Sequence, residues 1–150
     1  MGIIIQISSI LILPAMRAVS KKEALKELAA VVHGARPELD PEALYAILQE
    51  RETLGSTGIG DGIAIPHGKL KGLPEITVCF GRSRQGIPFD SLDGKPAHLF
   101  FLLLAPEEVA APYLSSLAEL SRFLKNPQNR NRLLHAEGSE ELLAILAEAQ

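Results

Sequence analysis

An α/β fold with a mixed β-sheet sandwiched between α-helices is predicted by three features of the sequence. Leu99-Phe100-Phe101-Leu102-Leu103-Leu104 is a short, continuously apolar run bounded by Asp93-Gly94 before it and Pro106 after it, which is the pattern of a central strand covered on both faces. Glu75 to Arg82 sets Ile76, Val78 and Phe80 against Thr77, Cys79 and Gly81, the two-residue period of another strand. Amphipathic segments precede and follow these strands, so helices are available for both faces of the sheet.

Taken in order, Met1 to Leu13 is apolar. It lacks the basic leader of a signal peptide and is shorter than the ~20 residues that span a bilayer, so no membrane insertion is expected. Residues 1–13 read as an N-terminal arm or strand, with Ile3 to Ile7 as the packing segment. Ser20-Lys21-Lys22-Glu23 has the form of a capping box, and Leu25, Leu28, Ala29 and Val32 follow at helical spacing, giving a first helix from Lys21 to His33 that Gly34 and Pro37 end. Asp40 caps a second helix with Pro41 in its first turn and Leu44, Ile47 and Leu48 on its inner face, reaching Arg51-Glu52. Ile63 to Ile65 is a short apolar segment. Beyond the central strand, Pro112 opens a helix bearing Leu114, Leu117, Ala118, Phe123 and Leu124, Asn126-Pro127 starts a short one, and Ser139 caps the last, Glu140 to Ala149. No repeat, low-complexity tract or long linker divides the chain, and residues 1–150 read as one domain.

Composition narrows the function. A chain of 150 residues buries roughly 70% of the surface its unfolded form exposes, enough for a core without staples. One cysteine, Cys79, excludes an internal disulfide; its apolar neighbours mark a buried thiol and suit a reducing cytoplasm. The 15 Lys and Arg against 18 Asp and Glu leave a formal charge of −3 with no basic tract, so nucleic acid is not an expected partner.

The most informative stretch is Arg51 to Lys69. His67 follows Pro66, whose ring fixes φ and pushes Ile65 towards an extended backbone, so the imidazole is held out at a strand end by a stiff loop. A neutral histidine offers a lone pair that attacks phosphorus without an activating base. Transfer of a phosphoryl group depends on positioning and on stabilising its charge, and the neighbourhood carries donors for that: amides freed by Gly55, Gly58, Gly60 and Gly62, the Ser56 and Thr57 hydroxyls, and the planar fork of Arg51. Lys69 is a second cation. Asp61 would repel a phosphate and is expected to point outwards or cap a turn. His33 and His135 near helix ends and His98 at a strand start have ordinary structural explanations.

Other motifs fail on spacing. Five residues separate Gly62 from Gly68-Lys69 where a Walker-type loop needs four, and Ile63 or Ile65 occupies the third small position of the dinucleotide fingerprint. Without histidine or cysteine neighbours at ligand spacing there is no metal site, and no cofactor is expected. From these residues alone, the glycine loop is either a phosphoryl-transfer site or a turn-rich connection with a histidine at its tip.

Arg51-Glu52, Gly55-Ser56-Thr57-Gly58-Ile59-Gly60 and Gly62-Ile63-Ala64-Ile65-Pro66-His67-Gly68 together resemble the signature of the enzyme IIA domain of the bacterial phosphotransferase system (PTS), fructose/mannitol class. The likeness extends through the lysine-bearing first helix, Pro88-Phe89-Asp90, the central strand and the helix after Pro112. It implies that His67 accepts a phosphoryl group from a small histidine phosphocarrier protein (HPr-like), that Arg51 stands beside it, and that Ser56, Thr57, Gly58 and Tyr113 lie at the phosphate. Family members often carry a second histidine where this chain has Tyr113, and a phenol donates a hydrogen bond but does not titrate near neutral pH. The chain resembles most the nitrogen-regulatory branch, and a freestanding domain with no attached enzyme IIB or membrane domain is expected. The implied function is a phosphocarrier with a phosphohistidine intermediate acting as a regulatory output on protein targets. Two alternatives are a sugar-transport subunit that passes phosphate to an enzyme IIB, and a binding module whose histidine is never phosphorylated.

Overall fold

The computed structural model describes residues 11–107 and 111–148, with 111–117 described by backbone alone. Its elements are β1 (Leu11–Leu13), α1 (Lys21–Ala35), α2 (Pro41–Thr53), β2 (Gly58–Gly60), β3 (Ile63–Ala64), β4 (His67–Leu70), β5 (Thr77–Ile87), β6 (Ala97–Pro106), α3 (Ala111–Lys125), α4 (Pro127–His135) and α5 (Ser139–Ala147). The Ile3 to Ile7 segment lies outside the described residues.

The helix starts follow from their caps. The Ser20 hydroxyl accepts from the Glu23 amide at 3.2 Å, and the Glu23 carboxylate accepts from Val19 N–H at 3.0 Å. Asp40 accepts from the Ala43 amide at 3.2 Å with Pro41 in the first turn. Two expected boundaries are corrected. α1 continues through Gly34 to Ala35, because the Arg36 N–H still reaches Val32 O at 2.8 Å before Pro37 removes a donor. α5 begins at Ser139, so this serine lies inside the helix; the cap is Gly138, whose extended backbone offers its carbonyl to Leu142 N–H.

β6 is the centre of the sheet. β5 runs antiparallel to it with Phe80 opposite Phe101, and β1 runs parallel to β5 with Ile12 opposite Phe80. On the other side of β6 lie β3 and β4, both parallel, with Ile63 opposite Leu99 and His67 opposite Leu103. The register is the same for both, so β3 and β4 are one strand interrupted at Ile65-Pro66. There proline has no N–H to offer β6, although Pro66 O still accepts from Leu103 N–H, and the Ile65 N–H, on the β2 side, reaches Thr57 O at 2.9 Å. β2 closes that edge, antiparallel to β3. β5 continues past the expected end at Arg82 to Ile87, with a register shift between the two.

Two apolar layers hold helices to this sheet. Leu25, Leu28 and Val32 of α1 and Leu44 and Leu48 of α2 pack on Cys79, Phe100, Leu102 and Leu104. On the opposite face Leu120, Leu124, Leu133, Leu142 and Leu146 of α3 to α5 pack on Phe80, Leu99 and Phe101. The central strand is therefore buried on both faces, as its continuous apolar run implies, and the fold is a mixed sheet between helical layers. Cys79 is fully buried, and burial pushes its thiol pKa up to about 12.

Candidate functional site

His67 is the first residue of β4, at the point where the interrupted strand rejoins β6. Its Nδ1 lies 2.8 Å from the carbonyl oxygen of Ile65. A carbonyl only accepts, so Nδ1 carries the proton and Nε2 carries the lone pair. Arg51, in the last turn of α2, donates from Nε to that Nε2 at 3.3 Å and from Nη1 to the Gly55 carbonyl at 2.9 Å. The imidazole is half-buried, and its pKa is lowered from 6.5 mainly by desolvation; the Ile65 hydrogen bond opposes the shift, Arg51 adds to it, and Glu52 opposes it again. His67 is consequently neutral at pH 7, with a defined tautomer.

The pair opens onto a surface depression of about 350 Å³ lined by Ile47, Glu50, Arg51, Leu54, His67, Gly68 and Lys69. α2 approaches β4 closely here: a Cβ on Gly68 would lie 2.8 Å from Ile47 Cγ2. Leu54, on the rim, is 82% exposed.

The glycine loop is tied down from two sides. The Ser56 hydroxyl donates to Phe89 O at 2.7 Å and accepts from Gly58 N–H at 2.9 Å, and Leu92 N–H donates to Gly58 O at 3.0 Å. A Cβ on Gly58 would collide with Ser91 Oγ and lie 3.0 Å from the Ser91 Cα, so glycine is what fits against the 88–94 segment. Thr57 is buried; its amide donates to Glu52 Oε1 at 3.1 Å and its hydroxyl to Glu52 Oε2. Asp61 is exposed with φ 56°, and its amide is capped by Asp93, so the turn is capped by the other aspartate.

Of the residues singled out in the sequence, the structure brings His67 and Arg51 into contact. It bonds Ser56 to Phe89 O, Thr57 to Glu52 of α2 and the Gly58 amide to Ser56 Oγ. Tyr113 falls in the first turn of α3, and its side chain lies outside the described residues. His33, His98 and His135 each bond a backbone carbonyl through Nδ1, at Leu39, Ser83 and Asn131 respectively.

Glu52 has a part that sequence reasoning did not assign. Its side chain is 2% exposed, receives both Thr57 donors and pairs with Lys21 Nζ at 2.9 Å. Lys21 also lies 3.6 Å from Asp90 and 4.8 Å from the centre of the Phe89 ring. The signal available was the adjacency of Glu52 to Arg51, but nothing local pairs it with a lysine at the start of another helix. Among the described residues no cluster of His, Cys, Asp or Glu is arranged to hold a metal, and no helix is long and apolar enough to cross a membrane.

Comparison with known proteins shows the family. Residues 5–149 match the family model described as phosphoenolpyruvate-dependent sugar phosphotransferase system, EIIA 2. The chain is 41% identical over 136 residues to a nitrogen regulatory protein of Bradyrhizobium diazoefficiens, covering 91% of this chain and 88% of that one. It is 37% identical over 126 residues to the fructose-specific EIIABC component of Bacillus subtilis, covering 84% of this chain but 20% of that longer protein. The crystal structure of the nitrogen regulatory protein IIA-Ntr of Neisseria meningitidis superposes with a TM-score of 0.84 at 36% identity, covering 94% of both chains. With the matched region spanning the whole sheet, the glycine loop and His67, the chain belongs to the EIIA type 2 family of the phosphoenolpyruvate-dependent sugar phosphotransferase system.

Proposed function

We propose that residues 1–150 form one phosphocarrier domain, in which His67 accepts a phosphoryl group on Nε2 from a histidine phosphocarrier protein and the phosphorylated and free forms are read by regulatory protein targets. The observation that carries this reading is the His67 tautomer: Ile65 O holds the proton on Nδ1, leaving the lone pair on Nε2 at the mouth of an open depression beside a guanidinium. The Nε2 lone pair forms the new bond to phosphorus as the electron pair of the donor's P–N bond returns to the donor ring. No proton leaves His67, because Nδ1–H keeps its bond to Ile65. Arg51 stands on the lone pair in the resting protein. It remains anchored at Gly55 O and turns its Nε–H to the phosphoryl oxygens, offsetting their charge.

The exposed Leu54 beside the depression suits a protein partner, since a large apolar side chain at a charged site is covered when another surface docks. The likeness to the nitrogen regulatory proteins over most of both chains supports the regulatory reading. The likeness to a fructose-specific EIIABC component supports a second one, in which His67 hands the phosphoryl group to an enzyme IIB. Incubation with phosphoenolpyruvate, enzyme I and the phosphocarrier protein, followed by intact mass measurement, tests the shared step. One acid-labile phosphoryl group, absent in His67→Ala, is expected; no gain in mass overturns the carrier function and leaves a binding module. Onward transfer to an enzyme IIB in the same assay distinguishes the transport reading from the regulatory one.

A further inference from the structure

The buried carboxylate of Glu52 points past its own surroundings to the reacting histidine. Glu52 is the last buried residue of α2 and receives three donors: Lys21 Nζ at 2.9 Å and the Thr57 amide at 3.1 Å, both on Oε1, and the Thr57 hydroxyl on Oε2. A carboxylate nearly withdrawn from water is tolerated only with such a set of partners. Thr57, held at both its amide and its hydroxyl, offers its carbonyl to Ile65 N–H at 2.9 Å. Ile65 in turn offers its carbonyl to His67 Nδ1–H at 2.8 Å. Each link is a hydrogen bond of 2.8–3.1 Å at a buried or half-buried position, and the two Ile65 links sit directly before Pro66, where the strand is interrupted.

We infer that Glu52 is a positioning residue for phosphoryl transfer: through Thr57 and Ile65 it fixes the tautomer of His67, and Lys21 is its counter-ion. The inference deepens the phosphocarrier reading and rests on it for its consequence, though not for its geometry. An imidazole in the other tautomer would carry its proton on Nε2 and present no lone pair to phosphorus. Glu52 makes no contact with the incoming group in this arrangement; it acts by deciding where the Ile65 carbonyl stands. Its charge also opposes the influence of Arg51 on the ring. Lys21 extends the same frame to the 88–94 segment, through Asp90 at 3.6 Å and the face of Phe89.

The test reads the tautomer directly, by nitrogen-15 NMR of the imidazole in the full unphosphorylated chain at a pH where the ring is neutral. It is paired with the rate of phosphoryl acceptance from the phosphorylated carrier protein. The wild type is expected to show the Nδ1–H form. Glu52→Gln, which keeps the shape but loses the charge and one acceptor, is expected to show a mixture of the two tautomers and acceptance slowed about tenfold or more. Thr57→Val is expected to move both readouts in the same direction by less, and Thr57→Ser, which restores the hydroxyl, to return them to wild type. A folded Glu52→Gln protein with an unchanged tautomer and rate overturns the proposal. If Glu52→Gln fails to fold, the threonine pair decides: an unchanged tautomer in Thr57→Val, or a Thr57→Ser protein that behaves like the valine variant, overturns it equally. Absence of phosphorylation in the wild type would count against the carrier function alone, because the tautomer is measured without any phosphoryl donor.

Discussion

At the scale of the residue, His67 and Arg51 set each other's chemistry. Arg51 occupies the Nε2 lone pair at 3.3 Å and is itself held by Gly55 O, so for the proposed transfer it is a donor already in place when negative charge arrives. Arg51→Ala is expected to slow phosphoryl acceptance by about 10²-fold while changing stability by no more than about 1 kcal/mol, since a half-exposed arginine with one carbonyl partner contributes little. Stopped-flow transfer and a urea melt measure the two effects. The His67 pKa is lowered from 6.5, above all by desolvation. As the pH falls through 6.5 the unfolded chain binds a proton at this position before the folded chain does, so stability is full above 6.5 and declines below it, towards the folded pKa. The acceptance rate is expected to stay level down to 6.5 and to fall only below it, with the NMR titration midpoint of His67 below 6.5 and moved upwards in Arg51→Ala. A midpoint above 6.5 would contradict the described environment. His67 was legible in the sequence because Pro66 and the glycines single it out. The partnership of Glu52 with Lys21 was not, because it depends on the packing of two helices whose relative placement no local pattern encodes.

The elements show why some of the site escaped a sequence reading. β3 and β4 contribute two and four residues, too few for an alternation to stand out, and the strand they form is broken by the proline that marks the histidine. Punctuation by Gly60, Gly62, Pro66 and Gly68 therefore reads as one long loop, although the register with β6 runs unbroken beneath it. By contrast, the apolar run of β6 and the caps of α1 and α2 carry their own signals, and these elements fall where the sequence puts them to within a few residues. Packing of α2 on β4 yields a prediction at this scale. In Gly68→Ala the new methyl would sit 2.8 Å from Ile47 Cγ2, a branch atom next to the helix backbone that cannot swing away freely. α2 must shift from β4, taking Arg51 with it. A stability loss of about 1–3 kcal/mol is expected, with a greater than tenfold loss of transfer rate, since misplacement by about 1 Å can cost 10²-fold. Wild-type values for both in Gly68→Ala would show that the contact does not govern the position of Arg51.

For the whole molecule, Arg82 joins parts that the sheet alone does not connect. Fully buried on β5, it donates from Nε to Pro14 O at 3.0 Å and from Nη1 to Leu133 O at 2.9 Å and Ala136 O at 2.6 Å, tying the chain after β1 to the end of α4. Arg82→Met is expected to lower stability by about 2–4 kcal/mol, because two buried carbonyls and a half-buried one lose their donor. The effect on transfer at low temperature should be small, since Arg82 pairs with Leu99 in the sheet whereas His67 pairs with Leu103. A thermal melt and the transfer assay on the same sample check both halves of that statement. The shared register of β3 and β4 has a further consequence for signalling. The histidine is welded to the most deeply buried strand of the protein, so a phosphoryl group added there meets a stiff support and has no lever to pull. In the proposed phosphocarrier role, the on and off forms differ by a local change of charge and outline at one spot on an unchanged body. A partner that tells them apart must touch that spot itself.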